Sequence, residues 1–339
     1  MLIGLQTKVA LIHDDLVQWG GAERVLLGLC EIFPDAPIYT SVVDFQNNNL
    51  AKNFSNKKII TSFLQKIPGW KQIYKTLLPF YPLAFEQFEF DDFDLVISST
   101  TRFAKSIITK PGTTHFCYCH TPPRFLWHFS GLKNFGIFEV LMTKLRIYDQ
   151  ISSSRVDHFI AGSENARLRI KKIYRREAEV IHPFVDLQRF KDASVFEGGY
   201  FVVVGRKNNY KRFDLAKEVC KKKGVELKVI EGNLNDQMVI NILAGCKALI
   251  IPGEEDFGII SLEAQALGKP VIAFGAGGAL ETVIDGKTGI LFEHQTTSSL
   301  MAALEQLDSK KIDPDDCKRN ASQFSKENFI KNIKQLIIQ

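Results

Sequence analysis

The stretch Pro252–Gly289, PGEEDFGIISLEAQALGKPVIAFGAGGALETVIDGKTG, decides how the chain is read. An apolar run, Ala248 to Ile251, ends at Pro252-Gly253, and three acids follow, Glu254, Glu255 and Asp256. Phe257-Gly258 then opens a helical pattern that runs to Leu267, with Gly268 as its stop and Lys269-Pro270 behind it. A second apolar run, Val271 to Phe274, leads into Gly275, Gly277 and Gly278. Strand, loop, helix, strand and glycine-rich turn make a βαβ unit of a parallel sheet. In such sheets ligands sit at the carboxyl ends of the strands, where these acids and glycines fall. Glu255 in the loop and Glu263 inside the helix suit a hydroxyl-rich ligand, because a carboxylate accepts hydrogen bonds from neighbouring hydroxyls. The glycines allow backbone N–H groups to approach an anion. The plain alternative is a solvated acidic loop. It stays open for Glu254, whereas the apolar neighbours Leu262, Ala264, Ala266 and Leu267 argue that Glu263 is buried and needs a partner.

The rest of the chain repeats this alternation. Towards the N-terminus, Lys8–His13 reads as a strand, followed by Asp14-Asp15, by Gly20-Gly21 and by a helix from about Ala22 to Phe33. Strands are expected at 37–44, 94–99, 114–119 and 158–161, and helices at about 135–152 and from Ser163 onward. Thr114–Cys119 leads into His120-Thr121-Pro122-Pro123, where the prolines hold the histidine rigidly. After His182-Pro183-Phe184-Val185-Asp186, a second alternating series begins with a strand at 200–204, then Gly205-Arg206 and Lys211 in GRKNNYKRFD. It continues with a helix at 213–223, a strand at 226–230 ending near Gly232, a helix at 236–245, and closing helices at 297–307 and 326–338. Arg206 and Lys211 form either a charged loop or a diphosphate clamp, Arg as a planar fork and Lys as a point charge.

Composition narrows the class. The 339 residues allow two domains with full cores, and 45% hydrophobic with 24% charged residues is ordinary for a globular protein. No apolar run reaches the length of a membrane span, and the first residues lack the basic flank of a signal peptide, so a cytoplasmic protein is expected. The six cysteines are scattered and read as buried free thiols in a reducing compartment rather than as a metal site. Residues 1–190 hold 23 Lys and Arg against 18 Asp and Glu, so they carry the whole net charge of +5. That excess suits an anionic partner such as a phospholipid surface or a diphosphate-linked acceptor, and no nucleic acid is expected. Segment 63–93 is dense in aromatics and carries Lys66, Lys71 and Lys75. It reads either as an amphipathic contact with an inner-membrane surface or as core beneath the first sheet.

The spacing of Glu255 and Glu263, with the flanking F-G and L-E-A-x-A-x-G-x-P-V, resembles the E-x7-E element of retaining GT-B glycosyltransferases of family four. The EEDFG and GAGGALETV wording most resembles bacterial mannosyltransferases of O-antigen and polysaccharide assembly, with Asp256 standing where the usual pattern has glycine. G-G-A-E-R at 20–24, H-T-P at 120–122 and G-R-x4-K at 205–211 are similar to further elements of the family, and HPFVDLQRF resembles its pre-hinge segment without the glycine. The resemblance implies two Rossmann-like α/β domains facing across a cleft. Residues 1–190 would be the acceptor side and 191–325 the nucleotide-sugar side, with a helix at 326–339 crossing back. It implies a transfer of mannose from GDP-mannose to a glycan or polyprenyl-diphosphate-linked acceptor, with retention. No Asp-x-Asp metal motif stands out at a strand end, so no metal or other cofactor is expected. The candidate catalytic residues are His120, Arg206, Lys211 and Glu255. Gly20, Gly21, Gly205, Gly232, Phe257, Gly258, Ile259 and Glu263 are the candidate donor contacts, Glu263 for the ribose. Asp14 and Asp15 are acceptor-side candidates, with the choice between them open. A UDP-sugar-dependent relative and a non-catalytic sugar-nucleotide-binding scaffold are the alternatives. The lack of G-x-G-x-x-G after either first strand speaks against a dinucleotide enzyme.

Overall fold

The computed structural model describes residues 7–74, 76–127, 137–206, 208–232 and 236–338. Lys75 and the start of the helix expected from 135 lie outside the described residues. The chain divides into two compact units. Unit 1 comprises Met1–Gly162, Ala166–Ile181 and Ile330–Gln339, and unit 2 comprises Ser163–Asn165 and His182–Phe329.

Unit 1 is built on a seven-stranded parallel sheet. Its strands are β1 (Val9–His13), β2 (Ile38–Thr40), β3 (Ile59–Thr61), β4 (Leu95–Thr100), β5 (Thr114–Cys119), β6 (His158–Ala161) and β7 (Ala178–Val180), in the order β3-β2-β1-β4-β5-β6-β7. The order reverses between β1 and β4, whose register pairs Leu11 with Ile97. The central strands are buried almost throughout, apolar at their starts and polar at their carboxyl ends, as β1 (VALIH) and β4 (LVISST) illustrate.

Segment 63–93 goes mostly into the core. Leu64, Trp70, Leu77, Tyr81, Phe85, Phe88 and Phe90 pack with Ile12 and Val96 beneath the sheet. Ile73, Phe80 and Leu83 remain exposed. Lys71 is tied to Asp44 at 2.6 Å.

Unit 2 carries a five-stranded parallel sheet of β8 (Tyr200–Gly205), β9 (Leu227–Glu231), β10 (Cys246–Ile251), β11 (Val271–Phe274) and β12 (Gly289–Phe292), in the order β12-β11-β10-β8-β9. Here the reversal lies between β8 and β10. Two apolar layers flank the sheet, one around Val202, Leu249 and Leu262, the other around Phe201, Ile250 and Leu304. The helix Ile259–Ala266 starts after Gly258 (φ +88°) and stops at Gly268 (φ +72°), two left-handed positions that favour glycine.

Each unit therefore has a crevice where its strand order reverses, and the residues singled out above cluster at these two places. Among the described residues no helix is long and apolar enough to cross a membrane.

Candidate functional site

In unit 2 the ends of β8 and β10 meet around one ion pair. The turn Asn209–Lys211 follows β8, and the loop Pro252–Phe257 follows β10. Gly253 lets them touch, since a Cβ there would sit 2.1 Å from the Tyr210 carbonyl oxygen. This close approach brings Lys211 Nζ onto Glu255 Oε1, with both side chains 14% exposed. Burial opposes the charge on Lys211, but Glu255, together with Tyr210 and Asp256, outweighs it and raises the Lys211 pKa, so the ammonium is retained. Gly205 (φ +152°) lies against the Lys211 side chain, and Arg206 is exposed beside it. Gly232 (φ +86°) is exposed at the end of β9.

Four donor-side candidates are taken up by the packing of unit 2. Phe257 is buried, stacked on the His182 ring at 5.2 Å and packed on Phe324 at 5.7 Å, so its side chain belongs to the core. Gly258 and Ile259 form the half-buried start of the helix that carries Glu263. Glu263 is 8% exposed, and its Oε1 accepts from Arg189 Nη1 at 2.6 Å.

The glycine cluster behaves differently from the sequence reading. Gly278 N donates to the Glu255 carbonyl at 2.9 Å, and the helix beyond it, Ala279–Thr282, is one turn long. A Cβ at Gly277 would lie 2.4 Å from the Glu255 oxygen, and one at Gly278 would lie 2.2 Å from Phe257 Cα. These glycines seat the acidic loop; the Gly278 N–H is occupied within it.

In unit 1 the crevice is a closed polar cluster. Asp14 is 3% exposed and accepts from Thr100 Oγ1 (2.9 Å), Thr101 N (2.6 Å), Thr101 Oγ1 (3.2 Å), Phe103 N (3.0 Å) and Ala104 N (2.8 Å). Burial would raise its pKa, but Arg102, His13 and these donors hold it below the usual carboxylate value. Asp15 is also buried, but its Oδ2 pairs with Arg102 and its Oδ1 has no partner. Burial raises the Asp15 pKa despite Arg102. The Arg102 guanidinium lies 5.9 Å from the Tyr81 ring centre.

Gly20 and Gly21 open the helix Gly21–Ile32, as expected, but the first turn holds its own acid. The Glu23 carboxylate sits 3.2 Å from where a Gly20 Cβ would be, and 3.8 Å from His13 Nε2.

His120 follows β5. Its Nε2 is 3.0 Å from Ser99 Oγ and its N–H donates to the Thr100 carbonyl. Burial and the nearby His13 push its pKa down to about 4, so the ring is neutral at pH 7. The loop after it is anchored by Asp149, which accepts from Trp127 Nε1 (2.8 Å) and Tyr174 OH (2.9 Å) and pairs with the fully buried Lys105. Among the described residues no group of three His, Cys, Asp or Glu side chains could hold a metal ion.

A family model described as Glycosyltransferase Family 4 matches residues 19–189, and one described as Glycosyl transferases group 1 matches residues 187–324. The chain belongs to the family 4 glycosyltransferases. The two parallel sheets of this glycosyltransferase are those of the GT-B fold. The alpha-1,3/1,6-mannosyltransferase ALG2 of Dictyostelium discoideum is 36% identical to it over 42% of this chain and 35% of the relative, so the chain spans about a third of that relative's length. The corresponding Schizosaccharomyces pombe protein is 23% identical over 84% of this chain and 70% of its own. Two solved structures share the fold. Alr3699/HepE of Anabaena, in complex with UDP and glucose, has TM-score 0.69 at 16% identity, covering 98% of this chain and 100% of that one. Sucrose-phosphate synthase of Thermosynechococcus elongatus has TM-score 0.71 at 14% identity, covering 98% of each.

Arg102 and Arg189, the partners of Asp15 and Glu263, are not among the candidate residues that the sequence motifs single out. The signal for Arg189 was present: a buried acid at 263 requires a cation, and HPFVDLQRF supplies one.

Proposed function

We propose that this glycosyltransferase transfers a hexose with retention, mannose from GDP-mannose, to a glycan or polyprenyl-diphosphate-linked acceptor in cell-surface polysaccharide synthesis. The observation that carries this reading is the Lys211–Glu255 pair at the strand reversal of unit 2, with exposed Arg206 beside it. A diphosphate competes with Glu255 for Lys211, and the charge that develops as it leaves is stabilised by Lys211 and Arg206. The Glu255 carboxylate, once released, accepts from donor-sugar hydroxyls. Glu263 meets the ribose, and neutral His120 contacts the sugar as a hydrogen-bonding group rather than as a charge. Front-face departure and attack, with the acceptor proton passing to the leaving diphosphate, requires no protein nucleophile and no metal.

On the acceptor side the reading favours Asp15 over Asp14. Asp14 has its oxygens occupied by five donors, whereas Asp15 Oδ1 has no partner. Mannose is supported by the names of the two relatives above. A UDP-sugar donor is the second reading, favoured by the UDP and glucose in the Anabaena structure. A peripheral position on the cytoplasmic face of the inner membrane is supported by the exposed Ile73, Phe80 and Leu83, and by Val140, Ile147 and Ile151 on the helix Ile137–Ser152. Glu86 holds these two regions together, accepting from Tyr148 OH at 2.9 Å and pairing with Arg155 at 2.6 Å.

The test is a screen of the purified protein with GDP-mannose, UDP-glucose, UDP-GlcNAc and ADP-glucose in EDTA, read by thermal shift and by nucleoside diphosphate release. A selective response to GDP-mannose is expected. A selective response to a UDP-sugar transfers the reading to that donor. A folded sample that responds to none supports the non-catalytic scaffold instead.

A further inference from the structure

We propose that Arg189 is a positioning residue that sets Glu263 for the nucleotide's ribose, and that the preference for a ribose with free hydroxyls depends on both residues. The inference rests on the donor reading given above. Glu263 lies between Leu262 and Ala264, both at 0% exposure, and a buried carboxylate needs a counter-charge. Arg189 supplies it from outside the helix. Nη1 reaches Glu263 Oε1 at 2.6 Å, and Nη2 lies 3.2 Å from Asp236 Oδ2 at the start of the helix Asp236–Gly245. A guanidinium is planar, so its two ends hold these carboxylates at a set spacing.

Arg189 is itself fixed. The Asp186 side chain accepts from Gln188 N at the head of the turn Leu187–Phe190, Phe190 is buried, and the guanidinium lies 5.1 Å from the Phe190 ring centre. Arg189 engages Glu263 through Oε1, which leaves Oε2 as the oxygen open to a ligand hydroxyl. Oε2 and the remaining lone pair of Oε1 are therefore presented together, which is what a vicinal diol meets. Ribose carries such a diol, and a dideoxyribose does not.

The experiment measures calorimetric affinities of the full chain for GDP and UDP and for their 2′,3′-dideoxy forms. Hydrogen bonds to a charged group predict that wild type binds the ribose form about tenfold or more tightly than the dideoxy form. Arg189→Gln is expected to weaken the ribose form about tenfold and to leave the dideoxy form within about threefold, so that the ratio collapses towards one. Arg189→Lys, which keeps the charge without the fork, is expected to fall between the two. Lys211→Ala is expected to weaken both forms alike and to keep the ratio. A wild-type ratio in Arg189→Gln overturns the inference, as does an equal loss for both forms, which would mark Arg189 as merely structural. If Arg189→Gln does not fold, an unchanged ratio in Arg189→Lys overturns it equally. Wild type that binds neither nucleotide overturns the donor reading itself, a result distinct from all of these.

Discussion

The two strand reversals occupy the same place in two sheets of the same kind, yet they treat charge in opposite ways. In unit 1 the crevice is sealed. Asp14 is surrounded by five donors, and its neighbours His13, Asp15 and Glu23 are at most 3% exposed. In unit 2 the ion pair of Lys211 and Glu255 retains 14% exposure on each side, and Arg206 is exposed. The first arrangement fixes a loop, because a carboxylate with every lone pair occupied has little to offer a ligand. The second can exchange partners where a ligand anion takes the place of Glu255 on Lys211, so that the ammonium is never left without a counter-charge. A topological rule locates both crevices, but the donors around each carboxylate, five at Asp14 against none at Asp15 Oδ1, separate a structural acid from one that a ligand can meet.

The sharpest test of this contrast is stability. Asp14→Ala leaves five donors around an empty site and is expected to cost about 3–5 kcal/mol in urea unfolding. Asp15→Asn should cost clearly less while reducing transfer to acceptor. Equal stability losses at the two positions would break the distinction drawn inside unit 1.

Next in size, Lys211→Ala is expected to lower donor turnover by about 10²–10³-fold, with an unchanged circular dichroism spectrum. Near-normal turnover would remove the diphosphate-clamp assignment and with it the functional half of the comparison.

A third measurement uses pH. His115 is fully buried, 2.8 Å from Ser98 Oγ, and burial pushes its pKa down to about 4. The unfolded chain then binds more protons than the native one between about pH 6.5 and 4, so stability falls as pH falls through that window, by on the order of 3 kcal/mol for this group. His13 has the opposite sign. Its raised pKa, produced by Glu23 against burial, gives stability that is present below pH 6.5 and is lost as pH rises through the folded value. His115→Phe should flatten the acid limb of the midpoint-versus-pH curve; an unchanged limb would place the acid sensitivity elsewhere.

The smallest expected effect is at the surface. Phe80→Ser with Leu83→Ser should change the unfolding free energy by no more than about 0.5 kcal/mol per substitution while reducing co-sedimentation with anionic vesicles. Undiminished co-sedimentation would remove this face from the membrane reading.

Much of the fold could be read from local pattern. The strands Thr114–Cys119, His158–Ala161 and Val271–Phe274 and the helices Phe213–Lys223 and Asp236–Gly245 lie where apolar runs and flanking glycines put them. The edge strand β3 could not be read this way. Its three residues, Ile59–Thr61, become a strand only by pairing with β2 through Ile38↔Ile59 and Thr40↔Thr61, a contact that no local window contains. The same reason governs segment 63–93, whose composition fits a membrane face and a core equally well until the sheet above it is known.

Among the site residues, the Lys211–Glu255 pairing follows motifs that each stand out in the sequence. The choice between Asp14 and Asp15 does not, because adjacent aspartates look identical until their donors, from Thr100 to Ala104, are brought to them by β4. The Gly277-Gly278 pair misleads for a related reason. Glycine permits close approach by any group, and here the group is the chain's own acidic loop.

The six cysteines give the molecule a built-in clock. Cys30, Cys117 and Cys119 lie in unit 1 and Cys220, Cys246 and Cys317 in unit 2, none more than 2% exposed. A thiol at such depth reacts only when its surroundings open, so the rate at which a reagent adds mass to each cysteine peptide times the breathing of the unit that holds it. With three thiols on each side, a single alkylation time course followed by mass spectrometry would rank the two units by how often they open, without a substitution.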